Sequence, residues 1–275
     1  MRMAEVDMAL IWQNPAATPY TGDADPDYES LLAANRYIRD AAERYPDRFL
    51  PAGWVDPKAC GIDGALEMAE VLVLEYGFPI VKMNPAQNRY PIDSEPVLAV
   101  VDRIVELGAI PAFHYGADTP FTPAGGLERI ALRHPDHPLV AAHMGGGGAG
   151  YSDAEPLYQE SRALGLRCPN IRFLLSTRRD AHTESDLIAY QSAGEPFCRN
   201  LCCGSDAPYG RMTWNFGGYR QMFRSLMEGS SHPDPRLRAD PRLFTPESVQ
   251  GYLGGNIARL AAEGCRNILK VNHAA

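Results

Sequence analysis

The chain has 275 residues, of which 45% are hydrophobic, and a formal net charge of -8 from 34 acidic and 26 basic side chains. It has no basic stripe that would bind nucleic acid, no apolar run near the roughly 20 residues that cross a bilayer, and no signal-peptide layout at its start. Its six cysteines are few for this length and irregularly spaced. We therefore expect a cytoplasmic protein with one domain over residues 1–275, without nucleic-acid or membrane partners.

Seven short apolar runs alternate along the chain with stretches of helical length, and most of the runs end near Gly, Pro, Asn or Asp. Buried parallel strands have this composition. The predicted strands are residues 6–12, 49–57, 78–85, 110–116, 138–145, 171–177 and 201–206. The predicted helices are residues 30–44, 62–76, 95–107, 126–133, 154–164 and 184–192. A further helix is predicted to begin with Thr245 as its N-cap and Pro246 as its first residue.

This order of elements predicts an α/β fold, a (β/α)8-type TIM barrel. A closed barrel has eight strands, whereas seven are readable here, and the first strand is the one missing from the pattern. Exposed sheet edges are usually covered or paired. We therefore expect a loop or a neighbouring chain to fill the gap between the strands at residues 6–12 and 201–206.

Polar side chains follow five successive predicted strands, at the end of the barrel where catalytic groups of this fold lie. They are Lys82 and Asn84, His114 and Tyr115, His143, Arg178 and Arg179, and Asp206. Neutral imidazoles and a carboxylate are the ligands expected for zinc and related divalent ions. We therefore interpret His114, His143 and Asp206 as the core of a metal-dependent site.

Each of these residues also has a structural interpretation. A single His after an apolar strand is more often a hydrogen-bonded core residue than a ligand. Asp206 lies in a turn-like sequence and could cap the helix that follows. Either Arg178 or Arg179 could clamp a substrate carboxylate, and either could equally form a structural ion pair.

Six segments in order give the chain a resemblance to a known family. They are RYPDRFLPAGWVDP, GFPIVKMNPAQNRYPID, ELGAIPAFHYG, HPLVAAHMGG, CCGSDAPYG and GGNIARLAA. Over nearly its whole length the chain resembles the amidohydrolase-related barrel proteins, the branch that includes small metal-dependent hydrolases and non-oxidative decarboxylases.

The resemblance implies a role for each strand end. It implies that His114 binds a metal, that His143 is a second ligand or activates the reacting water, and that Asp206 binds metal and accepts a proton. In some branches a Lys at the position of Lys82 bridges two metals after carboxylation, but such a Lys is also common with one metal. The family's first-strand His-x-His pair is absent from this sequence, which leaves two or three protein ligands where catalytic zinc sites have at least three.

Three functions remain open at this point. The first is a metal-dependent hydrolase of a small amide, ester or lactone, with Asp206 as general base, His143 beside the developing charge, and zinc, or else manganese or iron, as cofactor. The second is a non-oxidative decarboxylase of a small aromatic or unsaturated acid. The third is a metal-free binding protein. In the enzymes the predicted substrate contacts are Lys82, Asn84, Tyr115, Arg178 and Arg179, and a homodimer is the expected assembly.

Overall fold

A computed structural model of the chain describes residues 1–13, 19–116, 120–146, 155–176 and 180–274. The fold is an α/β TIM barrel, as predicted, and every strand pair in the described residues is parallel. The strands are β1 (Ala9–Ile11), β2 (Phe49–Pro51), β3 (Gly53–Trp54), β4 (Ile80–Met83), β5 (Ile110–His114), β6 (Leu139–Ala142), β7 (Ile171–Leu175) and β8 (Leu201–Cys203).

Helices follow most of the strands and form the outer layer. They are α1 (Ala24–Arg44), α2 (Pro57–Glu70), α3 (Pro85–Asn88), α4 (Glu95–Glu106), α5 (Ala124–Arg133), α6 (Glu155–Arg167), α7 (Asp180–Ala193), α8 (Met212–Met227), α9 (Pro235–Ala239), α10 (Pro246–Gln250) and α11 (Asn256–Ala274). Across the described residues, every helix is too short or too polar to traverse a lipid bilayer.

Local sequence explains where several helices begin. The Asp56 carboxylate accepts hydrogen bonds from the backbone N–H groups of Lys58 and Ala59 and so caps α2. At α10, Thr245 and Ser248 form a reciprocal capping box, which confirms the predicted helix start. The helix α8 was not predicted; it contains two adjacent glycines and begins without a side-chain cap.

The predicted strand at residues 49–57 is divided between two partners. Its first part, β2, pairs with β1, and the backbone N–H of Ala52 still donates to Ile11 at 2.8 Å. Its second part, β3, pairs with β4 from Gly53 onward. A Cβ atom at Gly53 would lie 2.8 Å from the Leu72 side chain, so the glycine lets the strand approach the helical layer here.

The seam between β1 and β8 carries no hydrogen-bonded ladder within the described residues. A 3₁₀ turn, Arg2–Ala4, precedes β1 and contacts α8, the helix that follows β8. Ala4 is fully buried, and Arg220 on α8 donates to its carbonyl at 3.0 Å and pairs with Glu5 at 3.2 Å. The chain's own N-terminal turn therefore joins the two sides of the seam. A neighbouring chain at this place stays a prediction.

The barrel interior is closed at the end opposite the strand tips by α11. Ile257, Leu260 and Ala261 of this helix pack against the interior side chains Ile80, Ile110, Ala112 and Val140. At the same end, Asn256 donates a hydrogen bond to the carbonyl of Leu201 at 2.8 Å. The remaining open end is where β4 to β8 terminate, and it holds the candidate site.

Candidate active site

The register of the sheet places the predicted site residues around one opening. Ile80, Ala112 and Leu174 fill the barrel interior. Because alternate residues of a strand face the same side, the side chains two positions later also face the interior, nearer the strand ends. Those residues are Lys82, His114 and Ser176.

The two predicted histidines are in direct contact. The Nε2 atom of His143 lies 3.2 Å from Nδ1 of His114, and their ring centroids are 4.3 Å apart. The other ring nitrogen of His143, Nδ1, lies 2.9 Å from the hydroxyl of Ser176. All three side chains are buried. They form one hydrogen-bonded chain across the ends of β7, β6 and β5.

His143 is neutral at physiological pH. Burial lowers the pKa of His143 well below 6.5, and the charges of His114 and Lys82 lower it further. A neutral imidazole has one N–H and one lone pair, and both nitrogens of His143 are engaged, one with Ser176 and one with His114. The pair then has at most one nitrogen, Nε2 of His114, for a further partner.

Lys82 projects into the interior against two indole rings. Its Nζ atom lies 4.1 Å from the centre of the Trp12 ring and 5.2 Å from that of Trp54, a cation–π arrangement. The side chain is only 5% exposed. Burial lowers the pKa of Lys82 to about 7, and the negative charge of Asp206 opposes this shift.

Asp206 is half-buried and follows β8 by three residues. Burial raises its pKa above the ordinary 3.8, while the charge of Lys82 acts in the other direction. Its carboxylate makes no hydrogen bond within the described part of the chain, and the turn is instead held by the Ser205 hydroxyl, which accepts from Ala207 N–H at 3.3 Å. The capping interpretation of Asp206 therefore fails, because α8 begins at Met212 with Arg211 as its N-cap.

The backbone at two of these positions is strained. His143 has φ = 76°, its neighbour Met144 has φ = 47°, and Asp206 has φ = 53°. Residues other than glycine seldom adopt this left-handed region, and such conformations concentrate at functional sites. The strain supports a functional interpretation of His143 and Asp206.

The structure does not bring every predicted contact residue to the opening. The Asn84 side chain caps α3 by accepting a hydrogen bond from Gln87 N–H at 3.2 Å, which is a structural role. Tyr115 is fully buried, with its hydroxyl 3.4 Å from Ser161 on α6 and its ring 6.2 Å from Phe173. It therefore packs in the layer between sheet and helices. Arg178 and Arg179 lie outside the described residues.

Two residues at the opening were not predicted as site residues, Ser176 and Trp12. The signal for Ser176 was its place directly after the apolar run IRFLL, where its alternation with Leu174 sets it facing the interior. Trp12 is the last residue of the first predicted strand, so it also lies at a strand end. Which side chains these two would contact could not be read from the sequence, because their partners come from distant strands.

The site was predicted to hold a divalent metal, which needs at least three protein ligands in a catalytic zinc centre. Among the residues that the structure describes, no group of three or more His, Cys, Asp or Glu side chains is placed to hold an ion. His143 has both ring nitrogens in hydrogen bonds. The described residues therefore do not by themselves fit a resident metal ion.

Known structures with this fold include decarboxylases. The chain is similar to an uncharacterised TIM-barrel protein from Bordetella bronchiseptica (17% identity, 96% of this chain and 80% of that one, TM-score 0.68). It is also similar to 5-carboxyvanillate decarboxylase from Sphingomonas paucimobilis (17%, 95% and 81%, TM-score 0.67). A third is a dihydroxybenzoic acid decarboxylase from Polaromonas with bound manganese and the inhibitor 2-nitroresorcinol (14%, 95% and 83%, TM-score 0.59). At these identities the likeness establishes the shared fold.

The family is established by the sequence. No curated protein matches the chain. The sequence profile of the amidohydrolase family, in contrast, matches residues 13–260. That range includes every strand from β2 to β8 and all of the residues named around the opening except Trp12. The chain therefore belongs to the amidohydrolase family.

Proposed function

We propose that the chain is an enzyme that removes carbon dioxide from a small carboxylic acid without a redox step. The observation that carries the proposal is that Asp206 and Lys82 act on each other electrostatically at one opening. Asp206 has a raised pKa and makes no hydrogen bond within the described residues. Lys82 is a buried cation, and its positive charge partly opposes the rise in the pKa of Asp206. Decarboxylation needs both a proton donor and a positive charge near the electrons left behind.

Each group has a defined role in this reaction. The C–C bond to the carboxylate breaks, carbon dioxide leaves, and the electron pair stays on the substrate carbon. The positive charge of Lys82 stabilises that pair. Asp206, whose pKa is raised by burial, then acts as the general acid that delivers a proton to the carbon. Arg178 or Arg179 is proposed to bind the substrate carboxylate through a bidentate contact.

The hydrogen-bonded histidine pair positions the substrate in this proposal. His114 lies at the end of β5, and its orientation is held by His143, which is held in turn by Ser176. Such a chain links the tautomer of one ring to that of the other. Pre-organised donors of this kind stabilise developing charge without rearranging during the reaction.

A hydrolase is the second candidate, and the description of the family as amidohydrolase favours it. Asp206 would then accept a proton from the attacking water, as the sequence predicts. Family membership and the manganese bound by the Polaromonas protein support a divalent metal cofactor. The described residues do not complete a metal site, so activity is measured with added zinc, manganese and iron.

One assay separates the two candidates. Purified protein, with and without each added ion and with a chelator, is incubated in D₂O with a panel of small carboxylic acids, esters, amides and lactones. We expect release of carbon dioxide and one deuterium at the carbon that carried the carboxylate. The Asp206→Asn variant should lose on the order of 10² to 10⁴ in rate, whereas Asp25→Asn, at an exposed position of α1, should not change it. Hydrolysis without carbon dioxide release would support the second candidate and refute the first.

A further inference from the structure

We propose that Trp12 is a positioning residue, and that its indole ring fixes the place of the Lys82 ammonium group at the opening of the barrel. The inference rests on the decarboxylase function above, in which that positive charge stabilises the electron pair left on the substrate. It assigns a role to a residue that lies just outside the range matched by the family profile, residues 13–260.

The Trp12 ring reaches Lys82 across the barrel interior. Leu10 and Trp12, two positions apart, both pack against the interior cluster, so both side chains face inward. The Nζ atom of Lys82 lies 4.1 Å from the centre of the Trp12 ring and 5.2 Å from that of Trp54. Trp12 follows β1 and Lys82 lies on β4, and in the described residues no ladder pairs these two strands. The contact therefore joins two strand ends that the sheet itself does not connect.

A lysine needs such a contact in order to present its charge at one point. Its four-carbon stem is flexible, so a strand fixes the position of the backbone but leaves the ammonium group free to move. Within the described part of the chain, the Nζ atom of Lys82 makes no hydrogen bond and no ion pair. The contacts that locate the ammonium group are the faces of the two indole rings.

The two tryptophans contribute to this contact in different ways. Trp54 is fully buried, and Asn35 holds its backbone by donating to the Trp54 carbonyl at 2.8 Å and accepting from the Trp54 N–H at 2.8 Å. Its removal would leave a large cavity in the core. Trp12 is only partly buried, and its ring is the nearer one to Nζ. Trp12 is therefore the residue whose effect on Lys82 can be separated from its effect on folding.

The physical basis is the negative face of the aromatic ring. A cation above that face is attracted electrostatically, which favours the charged ammonium at a defined place. A charge that is already in place stabilises a developing electron pair without rearranging during the reaction. The Trp12→Phe variant keeps an aromatic face, whereas Trp12→Leu is apolar without one. These two variants therefore separate the cation–π contact from apolar packing.

The first test measures the place of the ammonium group directly, by NMR of protein labelled with ¹³C at the lysine ε-carbon. The sequence contains three lysines, Lys58, Lys82 and Lys270, so three signals are expected. Protons above an aromatic ring are shifted upfield by its ring current, and Lys82→Arg identifies the Lys82 signal by its loss. We expect this signal to lie upfield of the other two, to move towards them in Trp12→Leu, and to move less in Trp12→Phe. Trp214→Leu, at a site that is 75% exposed, should leave it unchanged.

The second test measures the rate of carbon dioxide release, on the acid found in the assay above. We expect Trp12→Leu to lower kcat roughly 2- to 30-fold, the rate equivalent of one cation–π contact, with KM nearly unchanged. Trp12→Phe should recover part of this loss. Thermal unfolding of each variant is measured in parallel, because a purely structural role would make the loss of activity follow the loss of stability.

The outcomes separate this inference from the proposed function. A Lys82 signal that stays at its wild-type position in Trp12→Leu would overturn the positioning role, whatever the activity. A signal that moves while kcat keeps its wild-type value would also overturn it. A signal that moves as expected in a protein that releases no carbon dioxide from any acid would sustain the placement of the ammonium group and refute the decarboxylase function.

Discussion

A hydrogen bond joins Nε2 of His143 to Nδ1 of His114 across 3.2 Å. Because Nδ1 of His143 is also bonded to Ser176, the protonation of three side chains is linked. If the Ser176 hydroxyl donates to His143, then His143 donates to His114 and Nε2 of His114 carries a proton. If His143 donates to Ser176 instead, Nε2 of His114 presents a lone pair. Ser176 therefore influences the state of an imidazole on a strand two positions away.

Replacing Ser176 with alanine tests this linkage. Ser176→Ala removes the partner of His143 Nδ1 at 2.9 Å, so we expect a loss of about 1 kcal/mol in the free energy of unfolding. We also expect the ¹⁵N signals of both rings to change from one tautomer to a mixture. Ser192→Ala, at an exposed site on α7, is the control. Unchanged nitrogen signals in Ser176→Ala would contradict the linked chain.

Lys82 should reduce stability in a pH-dependent way. Its pKa in the folded protein is lowered from 10.5 to about 7, so between these values the unfolded chain binds more protons than the native one. The wild-type free energy of unfolding should therefore rise as the pH increases from 7 to 10.5. Below pH 7 the full cost of the buried charge remains.

The Lys82→Met variant removes that cost. We expect it to be more stable than the wild type by about 3 to 5 kcal/mol at pH 6, with a gain that decreases steadily towards pH 10. Urea unfolding at several pH values measures this difference. Lys270→Met should be neutral throughout, because that side chain is exposed. A gain independent of pH would show that packing, and not charge burial, is responsible.

Tyr219 on α8 holds the ends of β7 and β8 together. Its hydroxyl lies 2.6 Å from the carbonyl oxygen of Leu175 and 3.0 Å from that of Gly204, two residues before Asp206. Tyr219→Phe should cost about 1 to 3 kcal/mol and increase hydrogen exchange at Gly204 and Ser205. Tyr37→Phe, at a site that is 73% exposed, should do neither. Wild-type exchange rates in Tyr219→Phe would refute this role.

Two glycines allow the docking of α11 to be tested with a matched control. Gly108 and Gly77 both have positive φ, 82° and 67°. A Cβ at Gly108 would lie 2.7 Å from the backbone of Asn267 on α11, whereas one at Gly77 would meet nothing within 4 Å. Gly77→Ala should cost about 1 kcal/mol, and Gly108→Ala a further 1 to 3 kcal/mol from the clash. Thermal unfolding compares the two, and equal losses would contradict the close approach of α11.

Local sequence was sufficient for most of the secondary structure. All seven apolar runs contain strands, because a strand buried on both faces needs an unbroken apolar sequence. The capping box at Thr245 was readable because its partners lie three residues apart. The helix α8 was missed because Gly217 and Gly218 weaken its pattern, and its formation depends on packing against the barrel.

The site was only partly predictable. Strand-end position identified Lys82, His114, His143 and Asp206, but the same rule also selected Asn84 and Tyr115, whose side chains cap a helix and fill the outer layer. Position at a strand end fixes where a backbone lies. It does not fix which side chain reaches the opening. That depends on which face of the strand the residue lies on, and on the rotamer that the surrounding side chains allow.

The sequence by itself determined the family, the barrel and the ring of polar residues at its open end, because periodicity and order along the chain encode them. Only the tertiary structure decided that His143 bonds to His114 and Ser176, that Lys82 lies against the rings of two tryptophans, and that the N-terminal turn bridges the seam. These contacts join residues many positions apart. Their geometry depends on how strands from distant parts of the chain are aligned. The same alignment determines how deeply each ionisable side chain is buried, and burial is the largest cause of the pKa shifts of Lys82, His143 and Asp206.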